Sequence, residues 1–201
     1  MGEFIVLEGG DASGKSTQTP LLVERLRAVG RDVVGTFEPG ATPAGGAIRA
    51  LLLDGDGPID PITEALLLAA DRAQEVADVI RPALGRGADV VSDRYVPSSL
   101  AYQGVGRGLG VEEVEKLNRW STGGLDPDLV VVLDVDDEVA RSRRAEPGDR
   151  LEREGARFHA TVRDAYRTLA AERGWIVLDG NADVGAVTDR IWDVVREHLG
   201  L

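Results

Sequence analysis

Apolar residues gather in short continuous runs, and longer stretches of mixed polarity lie between them. Glu3 to Glu8 (EFIVLE), Asp32 to Phe37 (DVVGTF), Asp89 to Ser92, Leu129 to Val135 (LVVVLDV) and Trp175 to Leu178 are such runs, rich in β-branched residues. They read as strands. The stretches between them read as helices over Gln18–Val29, Ala47–Leu53, Ile62–Leu84 and Val111–Trp120, then from Asp136 to Arg144, Leu151–Arg173 and Val184–Leu199. Pro39-Gly40 ends the second strand, Asp54 to Pro61 is a turn-rich connector, and Glu146-Pro147-Gly148-Asp149 interrupts the later helices. Strands that are apolar throughout and separated by helices predict an α/β fold. Its parallel sheet of five strands carries helices on both faces. Within Ile62–Leu84, Ala65 to Ala70 (ALLLAA) is apolar all round, so that helix should be covered by the sheet on one side and by something else, a partner subunit being one candidate, on the other. No internal repeat or linker divides the 201 residues, which predicts one domain over 1–201.

Composition narrows the class. At 43% hydrophobic and 29% charged residues the chain has an ordinary globular balance, and no apolar run approaches the length of a membrane span or an export leader. With no cysteine, disulfides and thiolate metal sites are excluded, and a cytoplasmic setting is expected. The formal charge of −12 argues against nucleic acid or an anionic membrane as partner. Only Lys15 and Lys116 are lysines.

Lys15 closes the most informative motif. Gly9 to Thr17 (GGDASGKST) fits G-x-x-x-x-G-K-[ST] between a predicted strand and a predicted helix. Gly9, Gly10, Asp11, Ala12, Ser13 and Gly14 let successive backbone N–H groups turn inward onto phosphate oxygens, with Ser16 and Thr17 opening the helix. Lys15 supplies charge at the β/γ oxygens, and the Ser16 hydroxyl is a ligand for Mg²⁺. A second constellation, Asp93-Arg94-Tyr95 with Ser98-Ser99 and Ala101-Tyr102-Gln103, lies past the carboxyl end of the third strand, where open parallel sheets bind ligands. Asp93 there can hold Mg²⁺ and Arg94 can clamp a phosphate.

The P-loop, TFEPGATPAGGAIRALLLD, ALLLAADRAQ, DRYVPSSLAYQG and the arginine-rich RSRRAEPGDRLER follow one another in an order and spacing that resembles the thymidylate kinase family, bacterial type, over nearly the whole chain. That resemblance implies a P-loop nucleoside-monophosphate kinase that transfers the γ-phosphoryl of ATP to dTMP with Mg²⁺, commonly as a homodimer. It implies roles by position. Asp11 would meet the 3′-hydroxyl of the deoxyribose, Glu38-Pro39 the loop beside the acceptor, and Arg72 the monophosphate. Asp93 and Arg94 would be the metal and phosphate pair, and Tyr102 would crowd a ribose 2′-hydroxyl. Ser99 and Gln103 lie in the matching base-side segment. The segment from about 141 to 153 resembles the family's lid, which brings arginines over the ATP phosphates. The P-loop carries Ala12 and Ser13 where another class has a basic residue, so Arg143 is the first expected lid cation, with Arg150 and Arg141 behind it.

Three positions depart from the family: Phe37 where arginine is common, Ala41 for a glycine, and Leu68 where an aromatic stacks on the base. Leu68 leaves open a kinase for another nucleotide or nucleoside, such as dUMP or thymidine, or a binding protein without turnover. A GTPase switch is disfavoured because the N-K-x-D motif is absent. Trp120, Trp175 and Trp192 read as core or interface, and His159 and His198 as surface. Asp134-Val135-Asp136 reads as strand-end turn chemistry, and adenine contacts are expected from the Gly180–Val184 loop.

Overall fold

The computed structural model describes residues 2–55, 57–143 and 148–201. The elements run β1 (Phe4–Glu8), α1 (Lys15–Ala28), β2 (Val33–Phe37), α2 (Pro43–Arg49), α3 (Pro61–Glu75), α4 (Arg81–Gly85), β3 (Asp89–Asp93), α5 (Val96–Ser99), α6 (Val111–Thr122), β4 (Leu129–Asp134), α7 (Asp137–Arg143), α8 (Ala156–Arg173), β5 (Ile176–Asp179) and α9 (Val184–Leu199). All strand pairs are parallel, in the order β2-β3-β1-β4-β5. The five expected strands and the α/β class are therefore present.

Strand periodicity sorts the core. Ile5, Leu7, Val91, Val131 and Leu133 face Leu22 and Leu26 of α1 and Val187, Ile191 and Val195 of α9. Their neighbours point the other way. Phe4, Val6 and Val90 meet Val76, Ile80 and Ala83, and Val130 and Val132 meet Val162, Ala165 and Leu169 of α8. Each face of the sheet is thus closed by helices, and this is why the strands read as unbroken apolar runs.

The long helix expected over Ile62–Leu84 is α3 and α4 joined by a π-helical turn at Val76–Ile80. That wider turn precedes Pro82, which has no N–H to continue the ladder. The expectation that this helix is covered on every face does not hold within the chain. Ile62 and Leu66 are 59% and 52% exposed. Another π-helical stretch, Leu100–Gly106, continues α5 through a segment with two glycines where the sequence reading placed no element. The helix expected from Leu151 begins at Ala156, because Asp149 Oδ1 accepts from the N–H groups of Leu151 and Glu152 and holds a turn there. Residues 144–147, the middle of the expected lid and most of the Glu146–Asp149 break, lie outside the described residues.

Trp175 and Trp192 pack against the core, whereas Trp120 is 83% exposed on α6. Asp134, expected in strand-end turn chemistry, pairs with α8: its carboxylate accepts from Arg163 at 2.7 Å and from Arg167 at 2.7 Å.

Candidate active site

The carboxyl ends of β1, β2 and β3 open into a cleft of about 650 Å³. The loop after β1 forms its floor. Gly9 takes φ 136°, and a Cβ there would stand 2.4 Å from the Leu133 carbonyl oxygen, so the loop closes against β4 only with glycine. Gly14, at φ 100°, turns the chain into α1. Lys15 Nζ donates to Gly9 O at 3.0 Å, Gly10 O at 2.8 Å and Ser13 Oγ at 3.2 Å. Burial pulls this amine down to about 8, against Asp93 and Asp11, which favour its charge.

Behind the loop, Glu8 ends β1 fully buried. It accepts from Tyr95 N at 2.9 Å, Ser98 Oγ at 2.7 Å and the Tyr166 hydroxyl at 2.8 Å. Burial raises its carboxyl above the ordinary value, with Arg94 opposing. This residue, unmarked by any motif, fixes the segment after β3 to the end of β1.

That fixing brings the two constellations together. Ser16 Oγ donates to Asp93 Oδ2 at 2.7 Å. Arg94, a non-glycine residue at φ 76°, reaches Asp11 Oδ1 at 2.5 Å, Ser98 Oγ at 3.0 Å and the Tyr102 hydroxyl at 3.4 Å. A backbone held in that region is strained, and such strain collects at functional sites. Burial acts against Asp11's charge, yet Arg94 and then Lys15 hold its carboxyl below the usual range.

The opposite wall is built on Arg72, which is fully buried. Its Nε and Nη2 donate to the Glu38 carboxylate, Nη2 to Tyr95 O at 3.0 Å, and Nη1 to Ser99 Oγ at 2.9 Å and to Asn118 Oδ1. All five guanidinium N–H groups are thereby engaged. Glu38 is pushed up to about 7 by burial despite Arg72, and Glu75 to about 9 by burial and then by Glu38.

Of the expected residues, Asp11, Ala12, Lys15, Ser16, Asp93 and Arg94 line the cleft on the P-loop side. Glu38, Pro39, Leu68, Arg72, Ser99, Tyr102 and Gln103 line it on the other. Gly9, Gly10, Ser13, Gly14 and Thr17 shape the loop without lining the cleft. The lid arginines lie apart. Arg150 donates to Leu52 O at 2.7 Å and to the buried Glu64 at 2.7 Å, which also holds Arg107 and Gln103. Arg143 donates to Gly180 O at 3.1 Å on the loop after β5, and Arg141 is exposed on α7.

The sequence reading missed two arginines that line the cleft, Arg27 and Arg49. Among the described residues Arg49 makes one hydrogen bond, to Pro39 O at 2.8 Å, which leaves most of its donors without a partner there. The lone arginine in AGGAIRA carries no spacing signal, and only the fold brings it to the cleft. His159 corrects the surface reading. Its side chain is 9% exposed, with Nδ1 3.9 Å from Asp11 Oδ2. His198 remains at the surface beside Glu3.

Oxygen donors from Ser16 and Asp93, beside a phosphate loop, suit a hard divalent cation. Among the described residues no group of three His, Cys, Asp or Glu could form a metal site by protein ligands alone, and no helix is long and apolar enough to cross a membrane.

Comparison with known proteins agrees with this geometry. Residues 7–191 match the sequence profile of the family described as Thymidylate kinase. The thymidylate kinase of Leifsonia xyli subsp. xyli is 50% identical over 194 residues, covering 94% of this chain and 92% of that one. That of Halothermothrix orenii is 48% identical and covers 98% of both chains. That of Synechococcus sp. strain JA-3-3Ab is 50% identical, covering 98% of this chain and 96% of its own.

Proposed function

The chain belongs to the thymidylate kinase family, and from that membership we propose that its cleft transfers the γ-phosphoryl of ATP to dTMP and that the two walls divide the substrates between them. The observation that carries this reading is the joining of the Lys15 loop and the Ser16–Asp93 pair to the Asp11–Arg94–Tyr102 cluster in one cleft.

The P-loop N–H groups and Lys15 take the β- and γ-phosphates. Lys15 exchanges its three loop acceptors for phosphate oxygens, and the incoming charge favours its protonated form. Ser16 and Asp93 hold Mg²⁺, which when bound neutralises charge on the transferring group. Asp11 accepts the sugar 3′-hydroxyl and the Tyr102 ring closes the space at C2′, which disfavours a ribonucleotide by clash. Arg94 and Arg49 take the acceptor monophosphate, while Arg72, with every donor engaged, sets the wall around Ser99 and Gln103. Leu68 covers the base. Arg143 serves the ATP side from the Gly180–Ala182 loop, and Arg150 anchors the lid. Catalysis by this set is positioning together with charge neutralisation.

Ile62 and Leu66 of α3 and Trp120 of α6 form the apolar surface on which two copies pair as a homodimer, and the enzyme works in the cytoplasm, where both nucleotides are found. ADP release with Mg·ATP, measured against dTMP, dUMP, UMP, dCMP, dGMP and thymidine, tests the assignment. Turnover dominated by dTMP is expected. Turnover dominated by another acceptor would move the specificity, and binding without ADP formation would overturn the catalytic reading.

A further inference from the structure

The first turn of α8 joins the descending arm of the lid to the acceptor side of the cleft, and two adjacent side chains make the join. Phe158 stands edge-on to Tyr102 with ring centroids 6.0 Å apart, and the Arg107 guanidinium lies 4.7 Å from its ring centre. His159 follows. Its Nε2 is 3.3 Å from the Glu152 carbonyl oxygen, and because a carbonyl only accepts, Nε2 carries the hydrogen. Nδ1 is 3.9 Å from Asp11 Oδ2, within range of a charge pair and beyond that of a hydrogen bond.

Asp11 Oδ2 is unusual in its own right. It is buried and, among the described residues, has no hydrogen-bond partner, whereas Oδ1 is held by Arg94 at 2.5 Å. A carboxylate oxygen withdrawn from water without a partner is unfavourable, and its persistence fits an acceptor kept open for a ligand hydroxyl. Positive charge alone is not what the site lacks, since Arg94 and Lys15 already favour the ionised carboxyl. What they leave undetermined is rotation of the carboxylate about its bond to Cβ. The His159 ring, packed on the Oδ2 side, limits that rotation.

We infer that His159 is a positioning residue for the acceptor sugar: its ring, tied to the Glu152 turn, packs beside the Asp11 carboxylate and sets the orientation in which Oδ2 meets the 3′-hydroxyl. This rests on the reading of Asp11 as the partner of that hydroxyl. The turn at Asp149–Glu152 and sugar recognition are then linked through one imidazole, with Phe158 fixing the start of α8 against Tyr102.

The test compares dTMP with 3′-deoxythymidine monophosphate as acceptors for the full chain under Mg·ATP. His159→Phe should lower the ratio of kcat/KM for dTMP to that for the 3′-deoxy acceptor at least about fivefold, through KM for dTMP, with kcat held within about twofold. His159→Gln, whose amide can donate to both the carbonyl and the carboxylate, should recover part of the ratio. Equal losses on both acceptors, or no change on either, would overturn the inference, and the urea midpoint of each variant identifies a loss caused by unfolding. Asp11→Asn separates the two readings. If it lowers the ratio and His159→Phe does not, only the role of His159 is lost; if it too leaves the ratio unchanged, the assignment of Asp11 to the 3′-hydroxyl fails and the inference fails with it.

Discussion

Replacing Glu75 by glutamine should make the protein more stable, and the gain should grow as pH rises. Glu75 ends α3 with 1% of its surface exposed. Its Oε1 accepts from Thr36 Oγ1, and Oε2 has no partner. Burial and then the Glu38 carboxylate push its titration up to about 9, from 4.5 for an unperturbed glutamate. Between those values the folded protein keeps a proton that the unfolded chain has released. Stability therefore falls as pH rises: the contribution is complete below about pH 4.5 and is lost progressively up to about pH 9. Each pH unit in that window corresponds to about 1.4 kcal/mol, so the step from pH 6 to pH 8 removes about 3 kcal/mol. Glutamine keeps an acceptor for Thr36 and a donor toward Glu38 and does not titrate. The stability of Glu75→Gln relative to the parent should thus increase by about 3 kcal/mol between pH 6 and pH 8. A folded-state value of about 9 or higher gives this figure, and groups that titrate alike in both proteins cancel in the difference. Urea unfolding at pH 6, 7 and 8, fitted with a common slope, measures it. A difference that stays constant over those three points would refute the reasoning, because it would mean that Glu75 has already lost its proton in the folded protein at pH 6.

Arg143→Ala should lower turnover at least about tenfold at saturating dTMP with little change in the urea midpoint, since the side chain is exposed and contacts only carbonyls of the loop after β5; an unchanged turnover number would remove Arg143 from the ATP side. Leu68→Phe should bind dTMP about fivefold more tightly, the equivalent of an added stacking term of about 1 kcal/mol. Calorimetry showing no gain would discount the missing aromatic. Trp120→Asp should give a monomer by sedimentation at micromolar concentration while the parent sediments as a dimer, and a parent that is itself monomeric would defeat the pairing surface.

What the sequence disclosed was what short-range physics encodes. The P-loop, its flanking strand and helix, and the DRY segment are local patterns in which each residue type is required at its own spacing. The central strands β1, β3 and β4 were legible because they are buried on both faces and so cannot alternate. The terminal strand β5 was legible from its apolar run alone, although Ile176 and Val177 prove to be exposed at the sheet edge. Residues brought in by long-range packing were not legible. Glu8 is joined to Tyr166 across 158 positions, and Arg150 to Glu64 across 86. A lone histidine read as surface because nothing near it in sequence announces that Asp11 will be beside it. The helical stretch at Leu100–Gly106 was hidden by glycines that helices disfavour, and packing of Leu100, Ala101 and Tyr102 into the core overrides that preference.

The carboxylate at the start of α3 has a mechanical meaning. Glu64, wholly buried, is shared among Arg150 from the lid, Arg107 and Gln103. Were the Arg150 contact to break, Glu64 would keep Arg107 together with the Gln103 amide, so it would not be stranded as a bare charge in the interior. Glu64 sits on the same helix as Leu68 and Arg72, so a tilt of α3 would carry the anchor of Arg150 with it, and a change at one end of the cleft would be felt at the turn after Arg150.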